Sequence, residues 1–198
     1  MKHSSTKKVV TKKDIRKLVL HKIEEGKSQQ EIFEEIKQEV RNPAREIAQQ
    51  VRSIATLDKR NNYKTAHAVL VILLAVIVLF KVLAGVFVVI ENGIRWTPMI
   101  IVYPFIYIII LYGVIKYKGF YFKFAAAFLL VGNLKPLLQL FTEGFKPMLV
   151  IDLIFAAVVV ALCIYLSKKM FPDFKAIKEK YTNSNGQNRL KLKIIFSE

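Results

Sequence analysis

Apolar positions along the chain fall into two kinds of pattern. From residue 65 to residue 166 they come in long, nearly unbroken runs; on either side they come in short periodic groups. A bilayer core about 30 Å thick takes roughly 20 mostly apolar residues per helix. Four segments meet that length: 65–90, 97–115, 120–141 and 147–166. The third is the least apolar, because Asn133, Lys135 and Gln139 fall in its second half. Pro104 and Pro136 each remove one backbone hydrogen bond and predict kinks in the second and third spans.

Upstream, three amphipathic helices are expected between Thr11 and Leu57. Ile15, Leu18, Val19 and Ile23 form the first stripe at helical spacing, opened by Thr11 with Asp14. The stretch GKSQQEI, Gly26 to Ile32, reads as a stop followed by a start. Gly26 stands where a helix C-terminal glycine belongs, and Ser28 with Glu31 has the spacing of a capping box. Ile32, Phe33, Ile36 and Val40 make the second stripe. Asn42 before Pro43 predicts the start of a third helix, with Asn42 as its cap and Ile47, Ala48, Val51, Ile54 and Ala55 as its stripe. Three such helices in 47 residues make a thin core, which calls for docking on the membrane domain or on another subunit.

Downstream, FPDFKAIKEKY suits a short amphipathic helix on a membrane surface through Phe171, Phe174 and Ile177. TNSNGQN is a linker by composition. RLKLKIIF alternates with period two, like an edge strand that needs an outside partner or like a disordered basic tail.

Charge changes this picture by giving the spans a direction. The net charge is +16, unevenly spread. Residues 1–64 hold 16 of the 31 Lys/Arg, residues 167–198 hold 8, and the stretch between holds 7. Lys116, Lys118 and Lys123 gather around the second loop, whereas the first has Arg95 and the third Lys146. Lys and Arg near span ends stay in the cytoplasm. Rich, poor, rich, poor, rich is the order expected of four spans with both termini inside. The sequence therefore predicts an all-α protein of the inner (cytoplasmic) membrane. A basic cytoplasmic helical head (1–64) precedes a four-helix transmembrane bundle (65–166), and a basic tail (167–198) follows. The N-terminus has no apolar run of the kind a cleaved signal peptide carries.

Candidate chemistry is sparse. A charge deep in a bilayer costs about 2.5–3.5 kcal/mol on insertion scales, so Lys81 and Asp152 need a reason. With Asn133, Lys135 and Gln139 they form a candidate polar cluster in the outer half of the spans; the plainer reading is lysines snorkelling to the headgroups. Trp96, Tyr103, Tyr117 and Tyr121 fit an interfacial belt, and Tyr107 and Tyr112 are expected to pack between helices.

Lys7, Lys8, Lys12 and Lys13 are candidates for contact with anionic lipid of the inner leaflet, or with nucleic-acid phosphates. Arg45 and Arg52 are the matching candidates on the third helix, which would be the reading helix of a helix-turn-helix. Against DNA, Glu31, Glu34, Glu35 and Glu39 line the helix before it. The pairs Arg16–His21 and Arg60–His67 are superficially similar to the Arg–His motifs of HEPN-class ribonucleases, which need a larger helical bundle than this head. One cysteine, Cys163, in an apolar run, provides neither a disulfide within the chain nor a thiolate metal site.

No cofactor and no enzymatic activity are expected. The sequence points to an anchor or regulator that brings a cytoplasmic protein partner to the membrane. The second reading is a homo-oligomeric pore or transport element with the outer-half polar residues lining its path, in the manner of a membrane effector or accessory of a prokaryotic defence system.

Overall fold

The computed structural model describes residues 9–142, 146–182 and 188–196. It contains two compact units. One is assembled from both ends of the chain, residues 1–62 and 168–198; the other is the stretch 63–167.

The first unit begins with α1 (Lys12–Glu24), α2 (Gln29–Glu39), α3 (Ala44–Arg52) and the short α4 (Leu57–Asn62). The expected punctuation is present. Thr11 Oγ1 accepts from the Asp14 N–H and donates to the Asp14 carboxylate at 2.7 Å. Gly26 takes φ +77°, a left-handed conformation that ends a helix at little cost for glycine. Ser28 and Glu31 close a reciprocal capping box: the Ser28 N–H donates to Glu31 Oε2 at 2.8 Å, and the Glu31 N–H to Ser28 Oγ at 3.3 Å.

The third helix starts differently from expectation. Its cap is Pro43, without a side-chain hydrogen bond, and Asn42 serves another purpose. The Asn42 side chain accepts from the Val10 N–H at 3.0 Å and donates to the Val10 carbonyl at 2.9 Å. An amide side chain has one acceptor and two donors, so it can copy a neighbouring strand's peptide group; here it pins the residues ahead of α1.

The C-terminal expectation is corrected. The all-α reading fails beyond residue 173, where β1 (Phe174–Thr182) pairs antiparallel with β2 (Asn188–Phe196), in register from Phe174 opposite Phe196 to Thr182 opposite Asn188. The expected surface helix is a strand, and RLKLKIIF finds its partner within the chain. The reason lies in packing. Ile194 and Phe196 are buried in one cluster with Ile15, Val19, Ile32, Phe33, Ile36, Ile47 and Val51, and Phe174 packs against it. The Phe33 and Phe196 rings lie 5.9 Å apart, tilted by 60°. The thin helical core is thus completed by the chain's own last strand.

The second unit holds α5 (Lys64–Asn92), a 3-10 turn (Ile94–Trp96), α6 (Met99–Ile115), α7 (Gly119–Gly132), α8 (Leu134–Thr142) and α9, which runs from Pro147 into the last residues before the hairpin at Met170. Four stretches are long and apolar enough to cross a membrane: Lys64–Asn92, Ile94–Ile115, Gly119–Thr142 and Leu149–Met170. The third is two helices that meet at Asn133. Pro136 explains the place: its ring crowds the carbonyl four residues earlier, at Gly132, and offers it no N–H. Asn133 Nδ2 donates to the Leu129 carbonyl at 2.7 Å at this junction. At Pro104, by contrast, α6 runs on, because the lost bond falls within its first turns.

Candidate functional site

A concavity among the described residues lies in the first unit, where GKSQQEI turns into α2. It is a groove of about 730 Å³. One side is Gly26–Gln30; another is Thr56, Asp58 and Lys59; Lys193, Ile195 and Phe196 of β2, with Pro172, complete it. Gln30 positions the strand against the helix. Its Nε2 donates to the Ile194 carbonyl at 3.3 Å, and its Oε1 accepts from the Phe196 N–H at 3.2 Å. Like Asn42, this side chain copies a strand neighbour, and it covers part of the outer edge of β2.

Ion pairs hold the surroundings. Lys22 Nζ lies 2.7 Å from Glu35 and 3.3 Å from Glu39. Lys27 Nζ lies 2.7 Å from Glu25 and 2.8 Å from Glu35. The acidic face of α2 therefore faces lysines. These contacts act on titration. Hydrogen bonds from Lys22 and then Lys27 hold the Glu35 carboxyl below its ordinary 4.5. Lys27 lowers Glu25, and the Ser28 N–H lowers Glu31. Glu35 and Glu39 raise Lys22; Glu25 and Glu35 raise Lys27.

The carboxyls bind protons less readily folded than unfolded. Their contribution to stability is present above about pH 4.5 and is lost as pH falls through the lowered folded values. The lysine contribution is present below the unfolded value of 10.5 and is lost as pH rises through the raised ones. Stability of this unit should therefore fall on acidification below about pH 4.5, and Glu35→Gln should flatten that fall. Proteolytic susceptibility of residues 9–62, followed against pH, checks it.

The remaining sequence-derived candidates are scattered. Lys7 and Lys8 lie outside the described residues. Lys12 and Lys13 are exposed at the start of α1, and Arg45 is exposed on α3. Arg52 is taken by an ion pair with Asp173, just ahead of β1. His21 lies 3.3 Å from Glu25, and Arg60 Nε donates to the Ala55 carbonyl at 3.0 Å.

Among the intramembrane candidates, Lys81 Nζ lies 5.6 Å from the Tyr107 ring centroid, within cation–π range. Asp152 and Lys135 are exposed and Gln139 is half-buried. Among the described residues no ion pair joins Lys81 to Asp152. Cys163 is buried in α9. Tyr107 packs edge-on against Phe128, as expected, whereas Tyr112 is exposed beneath Lys116 and Lys118.

A cluster not expected from the sequence lies at the α6–α7 turn. His67 of α5 is buried, its Nε2 3.0 Å from the Val114 carbonyl. Its ring stacks on Tyr117 at 4.1 Å, which makes Tyr117 part of this joint. Tyr117 itself has φ +51°, unusual for a non-glycine residue. The one available signal was a histidine close to a span end.

No protein-family model matches the chain, and no curated protein and no solved structure gives a significant match. The functional reading therefore rests on the chain's own residues.

Proposed function

We propose that this protein is a four-span membrane anchor or regulator whose folded basic unit sits at the cytoplasmic face and engages a soluble protein partner there, without catalysis. The observation that carries the reading is the construction of that unit. Residues before the four apolar helices and residues after them share one hydrophobic core. Chain ends that fold together must lie on the same side of a membrane, which requires an even number of crossings. Four apolar helices satisfy that requirement, and the Lys/Arg distribution favours the cytoplasm for both ends. A core shared between the two ends, with a polar, basic exterior, suits presentation of a recognition surface.

The test has two arms. Single cysteines at the exposed positions Lys13 and Lys175, in a Cys163→Ala background, should react with a membrane-impermeant maleimide only after permeabilisation. Labelling of either in intact spheroplasts would end the orientation. For the partner, full-length protein should cross-link one soluble protein reproducibly, and Ile194→Asp should abolish that product while the spans still insert. Persistence of the product in Ile194→Asp would separate the interaction from this unit.

A further inference from the structure

We propose that the first unit binds duplex DNA through the exposed face of α3, with the chain ahead of α1 and the β1–β2 hairpin as flanking phosphate contacts. This activity goes beyond the protein partner proposed above. It rests on the cytoplasmic placement only for access to DNA in the cell. α2 ends at Glu39 and α3 begins at Ala44, so four residues join them, the length of a helix-turn-helix connection. Ile47, Ala48 and Val51 turn one side of α3 into the core, against Ile36 of α2 and Ile194 and Phe196 of β2. Arg45 and Gln49, four apart and both exposed, lie on another side, and Arg41 is exposed in the turn ahead of them. Arg41 and Arg45 make no ion pair among the described residues. In a helix-turn-helix the first turns of the second helix meet base edges in the major groove. Arginine and glutamine suit that place, because each can pair through two hydrogen bonds, with guanine and adenine respectively.

Both ends of α3 are flanked by basic chain. At its start, the two Asn42 bonds hold Val10 in place, next to the exposed Lys12 and Lys13. At its end, Arg52 pairs with Asp173 and so fastens the base of the hairpin. From there β1 presents Lys175, Lys178 and Lys180, all exposed. Contacts of this kind fix a protein on the phosphates while the helix between them meets the bases.

The glutamates of α2 count against a polyanion in the sequence, but in the fold each is matched. Lys22 holds Glu35 and Glu39, Lys27 also holds Glu35, and Lys37 lies 3.5 Å from Glu34. Glu31 is folded back on the Ser28 N–H. Glu46, the one acid on α3, accepts from the Asn42 amide at 3.3 Å. The choice of duplex DNA follows from what the α3 face lacks and from groove shape. No large apolar side chain is exposed on α3, so nothing there enters a bilayer. The major groove of A-form RNA is too deep and narrow for side chains to read.

The test uses the full-length protein in non-ionic detergent. Duplex DNA with a randomised centre is bound, recovered and sequenced over successive rounds, and the recovered duplex is titrated by fluorescence anisotropy at several salt concentrations. One enriched sequence is expected. Its affinity should fall roughly tenfold for each doubling of salt, the dependence that four phosphate contacts give. Arg45→Ala and Gln49→Ala should each weaken the enriched duplex by about tenfold and leave a scrambled duplex unchanged. Lys178→Gln with Lys180→Gln should weaken both duplexes equally and make the salt dependence shallower. These four side chains are exposed, so the thermal midpoint should stay where it is. Absence of an enriched sequence overturns the proposal, because attraction of a basic protein to any polyanion gives binding without selection. Enrichment that Arg45→Ala and Gln49→Ala leave intact overturns it too, as does equal affinity for the RNA duplex of the same sequence. None of these outcomes changes what cross-linking to a soluble protein would show.

Discussion

Deleting β2, residues 188–196, is expected to unfold helices α1 to α3 although it removes no residue of theirs. Ile194 and Phe196 are both buried in the cluster those helices form. Truncating one large buried side chain costs about 2–5 kcal/mol, and small domains hold only about 5–15 kcal/mol in all. Losing both, together with the two backbone bonds to Gln30, takes most of that margin. Phe196→Ala alone should lower stability by about 3–5 kcal/mol. Hydrogen exchange in the full-length protein in detergent reads the effect directly. Peptides covering Lys12–Arg52 should lose protection in the deletion and lose part of it in Phe196→Ala, while those in Lys64–Asn92 stay protected. Full protection of α1–α3 in the deletion would show that the helices form a sufficient core unaided.

That dependence is also what sequence reading could not see. The helices and their punctuation were legible because each signal is local: a capping pair three residues apart, a glycine after a stripe, an apolar run of membrane length. The hairpin was not. Phe174 and Ile177 are three apart and satisfy a helical stripe as well as a strand, and residue spacing alone does not decide between them. Pairing with β2 and burial of Ile194 and Phe196 decide it, and these arise only when residues some 160 positions apart meet. Asn42 failed as a cap for the same reason: a strong local signal was outcompeted by the Val10 backbone, 32 residues away in sequence. The groove divides along this line. Gly26, Ser28 and Glu31 were recognisable as a junction, but no local pattern announced that Thr56 and Ile195 would face it.

The packing of the apolar helices depends on one glycine to a degree that sets up a second large effect. A Cβ placed on Gly113 of α6 would lie 2.1 Å from Tyr121 Cγ and 2.3–2.4 Å from the Cδ atoms. These atoms are at the root of the ring, so the side chain cannot yield by bending its far end. Gly113→Ala must push Tyr121 out of its rotamer or part the α6–α7 turn, at a cost of about 1–3 kcal/mol or more. Gly113→Val adds two further carbons on a stiff side chain and should cost more still. The strain reaches the adjoining joint, because Val114 and Tyr117, next along the chain, are the residues that hold His67. The fraction of protein that stays monodisperse after heating in detergent should therefore fall for Gly113→Ala and fall further for Gly113→Val. Tyr121→Ala supplies the control. Combined with Gly113→Ala it should restore much of the lost stability, because the ring that made the clash is gone, and the two effects should be non-additive by about 1 kcal/mol or more. Simple additivity of the two substitutions would place the cost of the alanine elsewhere than on Tyr121.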